Sequence, residues 1–450
     1  MVDAINRSLS FLKQQPQLNV RSEDINFLYD AADFRCHIIQ HIQQAEQRIY
    51  LTALYLENDE AGQEILAELH QAQRLRPELK IVILVDFHRA QRGLIGHDAG
   101  DTNADFYRQY CEDNQCHFDI LGIPVKSREL FGVLHLKGFV FDDTVLYSGA
   151  SLNNIYLNKK ERYRYDRYCL IKHSGLAQSM VEYIDQLRLG DFGVVPLNQQ
   201  QVPKIAEIKP EHKRLKRFLK RQQYQFSPQV RQHKDIGITP LLGFGGRGNL
   251  LNKTIRQLLQ SCQHSAVLFT PYFNFPAAIS RDISAMLKRG VKITLVVGDK
   301  TANDFYISPE QDFRTIGGLP YLYETNLRKF ARRHHKSLLE GMLDIHIWKH
   351  DNNSFHLKGI YSDDKYMLLT GNNLNPRAWR LDLENGLLLH DETHQLAEMQ
   401  QRELALILEN CQKISSYQDI EDIKDYPERV QKLLSRMRVI RADNMVKRII

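Results

Sequence analysis

Apolar residues along this chain fall into two alternating rhythms, and the same series of rhythms runs twice. Residues 48–55 and 80–85 are short, nearly continuous apolar runs of strand length, and between them Ile65, Leu66 and Leu69 recur at helical spacing. The second run closes on the polar stretch 86–92. Residues 266–272 and 291–297 repeat the strand pattern, with Ile283, Met286 and Leu287 as the helical face between them and Gly298-Asp299-Lys300 as the closing turn. A further apolar segment follows in each copy, at 117–121 and 343–348. Each copy then reaches the tetrapeptide His-Leu-Lys-Gly, at 135–138 and 356–359, and later a strand that ends in glycine, at 145–149 and 366–371. Strands alternating with helices predict an α/β fold with sheets covered on both faces and ligands gathered at strand ends. The duplication predicts two tandem α/β domains packed as a pseudo-dimer, with the active site at their interface.

The repeat is interrupted between about 190 and 240. That stretch holds Gly190 and Gly193, the glutamines 199–201, Pro203 and Pro210, and then a strongly basic run at 211–221. It predicts an N-terminal domain over residues 1–200, a basic connecting segment over 201–238 and a C-terminal domain over 239–450.

Composition narrows the class. The chain has 450 residues, enough for two or three domains with large cores, and its 43% hydrophobic and 25% charged content is that of a globular protein. No apolar run approaches the length of a spanning helix, and the first fifteen residues lack the layout of a signal peptide. A cytoplasmic protein is expected. Cys36, Cys111, Cys116, Cys169, Cys262 and Cys411 are scattered without a paired metal-ligand spacing, so free thiols are expected. A net charge of +6 permits polyanionic partners, nucleic acid or an anionic lipid surface, without selecting between them.

The chemistry lies in the repeated motif. His135-Leu136-Lys137 is followed by Asp142, and His356-Leu357-Lys358 by Asp363, at identical spacing. On a strand, residues i and i+2 share a face, so each His lies beside its Lys. If the halves meet about a dyad, two imidazoles and two ammonium groups enclose a volume suited to a phosphoryl group. The lysines would neutralise oxygens that gain charge in the transition state; one His would attack phosphorus while the other moves the proton of the leaving group. No metal or other cofactor is expected.

Paired motifs of this form resemble the phospholipase D superfamily, which implies two tandem phospholipase-D-like domains. The stretches 85–93, 133–138, 147–153, 163–168 and 370–379 extend the resemblance to its bacterial CDP-diacylglycerol–serine O-phosphatidyltransferases, the phosphatidylserine synthases of this type. The resemblance implies CDP-diacylglycerol and L-serine as substrates, CMP and phosphatidylserine as products, and a phosphatidyl-histidine intermediate. It implies His135 as nucleophile, His356 as acid and base, Lys137 and Lys358 as phosphate ligands, and Asp142 and Asp363 as braces of the site. In the superfamily a Gly-Ser-x-Asn stretch follows the motif, and a later carboxylate orients a His. Asn373 stands at the Asn spacing, although Thr370-Gly371 replaces Gly-Ser; in the first half, one residue shorter, Ser151 takes that place and Asn153 follows. Asn375 is a further candidate for phosphate contact, and Asp166 and Glu384 are the expected late carboxylates.

Loop position adds His88, Arg89 and Arg92, with Lys300 at the matching place in the second half, as candidates for the cytidine, the diphosphate or the serine carboxylate. Within the basic run, Leu215, Phe218 and Leu219 fall on one helical face with Lys213, Arg214, Lys216 and Arg217 around them. That pattern fits either a helix packed on its own domain with a solvated basic face or an interfacial helix drawn to anionic lipid; the second implies peripheral attachment to the inner face of the cell membrane. Two other classes compete: another enzyme of the superfamily (a phospholipase, a cardiolipin-type synthase or a nucleic-acid phosphodiesterase) and a non-catalytic lipid- or RNA-binding scaffold. The intact double motif argues against the scaffold, and the lack of an aromatic stripe along a basic groove argues against the nuclease.

Overall fold

The apolar runs become the central strands of two sheets. The computed structural model describes residues 2–93, 102–199, 202–230, 232, 234–308 and 310–439. In the first half, strands run in the order Val195–Pro196, Asp119–Ile123, Lys80–Asp86, Arg48–Thr52, Gly138–Phe141, Thr144–Ser148, Tyr168–Lys172, Ile25–Leu28. In the second half, Leu343–Trp348, Lys292–Gly298, Ser265–Thr270, Gly359–Ser362, Tyr366–Thr370 and Leu383–His390 follow in the same order. The duplication read from the sequence is therefore one of topology as well.

Each central strand feeds two cores because its side chains alternate between the faces of the sheet. Ile49, Leu51, Ile81 and Ile83 point outward onto the helices Ala31–Gln44 and Glu60–Leu75, through Phe34, Ile38, Ile65, Leu66 and Leu69. Tyr50, Val82 and Leu84 point inward to a core that also contains Phe269, Val296, Leu387 and Leu389 of the second half. One continuous apolar layer thus joins the halves. The outer core of the second half collects Leu268, Ile293 and Leu295 under Ile255, Ile283 and Met286.

The domain boundaries need correction. The helix Val2–Lys13 contributes Leu12 to the outer core of the second half, and the strand Leu18–Val20 pairs antiparallel with Ile236–Phe244. The start of the chain therefore belongs with the C-terminal sheet. The repeat begins near residue 48, so nothing in its pattern placed these residues. The connecting segment is also less independent than its composition predicted: its helix, Lys209–Arg221, buries Leu215 and Leu219 in the shared core, and the strand Ile236–Phe244 starts inside it.

Candidate active site

The two motifs are positioned by strand pairing across the halves. Leu134–His135 runs parallel to the second-half strand Leu383–His390, with His135 opposite Glu384. The mirror pair is Ser354–Phe355 alongside Arg164–Tyr165, and the His356 N–H donates to the Tyr165 carbonyl at 2.8 Å. The chain entering the first motif is held further: Leu134 N–H donates to the Asp86 carboxylate and Val133 N–H to that of Asp382.

This pairing exchanges carboxylates between the halves. Glu384, from the second half, accepts from His135 Nδ1 at 2.9 Å; Asp166, from the first, lies 2.7 Å from His356 Nδ1 and 3.2 Å from Lys358 Nζ. The residue after each carboxylate grips the backbone of the opposite lysine. Asn385 exchanges two 2.8 Å hydrogen bonds with the N–H and carbonyl of Lys137. Arg167, clamped by Glu403, donates to the Lys358 carbonyl at 3.1 Å. Leu136 and Leu357, between each His and its Lys, point the other way into the shared core, as the two-residue strand period requires. The glycine turns leave space for the site: a Cβ at Gly149 would sit 2.6 Å from the Asp166 carboxylate and 3.0 Å from Lys358 Nζ, and one at Gly371 would sit 2.9 Å from the Lys137 stem.

Burial dominates the electrostatics. It holds both imidazoles well below their ordinary range, with Lys137 and Lys358 adding to the effect on His135, and Lys358 first among the charges acting on His356. It pulls the Lys137 ammonium down to about 7, helped by Lys358, and Lys358 down to about 8, opposed by Asp166. Glu384 is pushed well above its usual range by the same desolvation. Cation is thus in excess among the site's buried groups, which an anion would relieve.

A pH dependence follows. An anion seated between the lysines needs both protonated. Affinity for sulfate, which does not titrate here, is expected to be full below about pH 7 and lost as pH rises through about 8. Binding in that window takes up protons. The ligand-free protein shows the opposite trend: the folded Lys137 value lies below the unfolded one, so its contribution to stability grows from about pH 7 toward 10.5. Calorimetry in buffers of different ionisation heat checks this, and a sulfate affinity flat from pH 6.5 to 9 would refute it.

The other sequence candidates divide. Asp142 and Asp363 are not beside the imidazoles. Each occupies a left-handed turn at the far end of the motif strand, φ 49° and 54°. Asp142 accepts from the N–H groups of Glu46, Gln47 and Arg48, and Asp363 from those of Gln263, His264 and Ser265. They brace the entry of the neighbouring strand, a structural job repeated because the hairpin is repeated. Asn375 caps the short helix Pro376–Arg380 through Ala378 N–H, and Asn153 accepts from Tyr156 N–H; both are turn residues. Ser151 is buried, and Asn373 keeps a buried Oδ1 without a hydrogen-bond partner; that oxygen accepts, so it calls for a donor and not for a phosphate oxygen. Arg89 pairs with Glu57 and lies over the Tyr55 ring at 4.6 Å. His88 contacts the Lys126 carbonyl, Arg92 pairs with Glu129, and Lys300 is neutralised by Glu324 and Glu421. These three are committed to partners of their own.

The basic helix packs on its own domain. Its apolar face is turned inward: Phe218 packs on Phe192 and Tyr183, with ring centroids 4.7 and 5.8 Å away, beside buried Leu215 and Leu219. Arg214 is tied to Asp191 and Glu211, whereas Lys213 and Arg217 are exposed and Lys216 half-buried. Periodicity could not tell lipid from the protein's own core as the partner of that face.

Several residues at the site were not among the candidates. Tyr156 Oη lies 3.1 Å from His356 Nδ1. Tyr272 stands edge-on to the same ring, 6.1 Å between centroids, and donates to Asp304 at 2.6 Å. Asp304 pairs with Arg164, whose guanidinium covers Tyr156 at 4.4 Å. Arg377, bound to Asp382 at 3.1 Å, adds its charge to the field at His135. Asn385 and Arg167 could have been found as the residues following the expected carboxylates. Asp304 occurs in one half alone and gives no repeat signal.

Comparison with known proteins gives the family. The family model described as "Cardiolipin synthase, PLD-like domain" matches residues 255–406. The chain is 44% identical to the CDP-diacylglycerol–serine O-phosphatidyltransferase of Haemophilus influenzae over the whole of both chains. It is 45% identical to that of Escherichia coli over 99% of this chain and 98% of the relative. The crystal structure of the Haemophilus influenzae phosphatidylserine synthase superposes with a TM-score of 0.95 at 44% identity, covering 99% of this chain and 100% of the other. With two phospholipase-D-like halves and crossed His–carboxylate pairs, the chain belongs to the CDP-diacylglycerol–serine O-phosphatidyltransferase family.

Proposed function

We propose that the protein transfers a phosphatidyl group from CDP-diacylglycerol to L-serine through an intermediate on His135. The observation that carries this is the meeting of two buried His–Lys pairs, each oriented by a carboxylate of the opposite half. With Nδ1 of each ring turned to its carboxylate, Nε2 is the atom left for chemistry. The diphosphate enters between Lys137 and Lys358, and its charge raises the proton affinity of the site. His135 Nε2 forms a bond to the phosphatidyl phosphorus as the P–O bond to CMP breaks, and His356 gives its proton to the departing oxygen. Serine then enters. Its hydroxyl returns a proton to His356, its oxygen bonds phosphorus, and the P–N bond to His135 breaks. The test is direct: pure protein with CDP-diacylglycerol in mixed micelles should release CMP, and phosphatidylserine should form when serine is added. CMP release indifferent to serine would favour a hydrolase of the same superfamily.

The lipid substrate requires work at a surface, and no helix among the described residues is long and apolar enough to cross a membrane. Attachment is assigned to the outward face of the helix Lys209–Arg221, by charge alone since its apolar side is packed inward. The surface would be the anionic inner face of the cell membrane, and the same cations would allow weak non-specific polyanion binding. Each cation near such a surface contributes about 1 kcal/mol, fading within a Debye length. Replacing Lys213, Lys216 and Arg217 with Gln is expected to weaken sedimentation with anionic vesicles at low salt while micellar turnover stays nearly intact. If the variant pellets as the parent does, this helix is not the contact.

A further inference from the structure

A buried ion pair beside His356 has no part in the chemistry so far described. Arg164, from the first half, and Asp304, from the second, approach to 2.6 Å across the interface, with side chains 9% and 19% exposed. Isolating such a pair from water is costly, and an apolar pair of the same volume would often be more stable. The pair sits on the acid/base His from two directions. Tyr156 touches the His356 ring and lies under the Arg164 guanidinium. Tyr272 is edge-on to the same ring and donates to Asp304 Oδ2. The charges of both members reach His356. Asp304 Oδ1, the oxygen near Arg164, is buried and accepts no aligned hydrogen bond: the 2.6 Å approach is electrostatic and lacks hydrogen-bond geometry. A buried carboxylate oxygen in that state is open to a better-directed donor.

We propose that Arg164 and Asp304 form the subsite for the amino-acid acceptor, Asp304 taking its ammonium and Arg164 its carboxylate. The inference rests on the phosphatidyltransferase reading. A zwitterion entering between the two side chains replaces one ion pair by two, so the site stays neutral and no new buried charge is created. Serine carries its charged groups and its hydroxyl on adjacent carbons, so both charges held here direct the hydroxyl to the neighbouring His356. Water and glycerol, lacking both charges, would leave the pair closed. The arrangement needs one partner from each half and one copy only, which fits the absence of an equivalent pair from the repeat pattern.

The test crosses two variants with two truncated acceptors. Serine, ethanolamine (no carboxylate) and 3-hydroxypropanoate (no ammonium) are supplied to the parent, Asp304→Asn and Arg164→Gln, with CDP-diacylglycerol in mixed micelles, and the lipid products are quantified. Both variants should raise the serine KM roughly 10- to 100-fold, the effect of losing one charged hydrogen bond. The relative use of 3-hydroxypropanoate should rise in Asp304→Asn alone, and that of ethanolamine in Arg164→Gln alone. A merely structural latch would depress all acceptors together without crossing, and that result would overturn the proposal, as would an unchanged serine KM in both variants. Lys for Arg164 serves if the Gln variant fails to fold, with partial recovery of serine KM expected. Failure of the parent to release CMP with any acceptor would instead defeat the phosphatidyltransferase reading itself.

Discussion

His135→Ala and His356→Ala are each expected to reduce serine transfer by on the order of 10⁴-fold or more, because nucleophile and proton carrier act in sequence on one phosphorus. The two losses should differ in kind. His135→Ala removes the attacking nitrogen, so no acid-labile phosphatidyl-protein adduct should form from CDP-diacylglycerol. His356→Ala keeps the nucleophile. CMP is a good leaving group and needs little help from an acid, whereas serine's hydroxyl is a poor nucleophile until its proton is taken. The adduct should therefore accumulate on His135 in the His356 variant. Both histidines are 7% exposed or less as whole residues and lie among charged groups, so each variant also needs a check that folding survives. Mass spectrometry of acid-lability-protected digests locates the adduct. Its appearance on His356 in the His135 variant would reverse the roles, and near-parental transfer in both would end the two-histidine mechanism.

How far the site was legible in the sequence depended on what kind of contact made it. The His–Lys pairs were readable because a two-residue strand period and a duplication are properties of the chain itself. Asp166 and Glu384 were placed by position, but their crossing to the opposite half was not visible, since it depends on strand pairing between residues far apart, such as His135 with Glu384. Asp142 and Asp363, expected as braces of the site, brace the hairpin at its far end: a hairpin brace recurs in a duplication as faithfully as a chemical group does. The helix Lys209–Arg221 stayed open between two readings for another reason. Its amphipathic period is real, but Phe218 meets Phe192 and Tyr183 instead of lipid. Arg164 and Asp304 escaped because each half supplies one of them, so no repeat announces the pair.

The crossed carboxylates give the second large effect. Glu384→Gln and Asp166→Asn each keep the shape of the site but remove the carboxyl group that holds an Nδ1–H in place. An amide can present either its oxygen or its NH₂ to Nδ1, and in the second case the ring takes the tautomer with its lone pair turned away from phosphorus. The comparable change beside a serine-protease His costs about 10⁴-fold. Losses of roughly 10²- to 10⁴-fold in serine transfer are expected here. Because the carboxylates are exchanged between halves, each variant should disable the His of the half it does not belong to. Glu384→Gln, a second-half change, should imitate His135→Ala and form little adduct. Asp166→Asn, a first-half change, should imitate His356→Ala and accumulate adduct on His135, with the added effect that Lys358 loses its 3.2 Å partner. Rapid-quench measurement of adduct formation separates the two. Were Asp166→Asn to block the adduct while Glu384→Gln accumulated it, each carboxylate would be serving the other imidazole's step, and the assignment of His135 as nucleophile would fall with it.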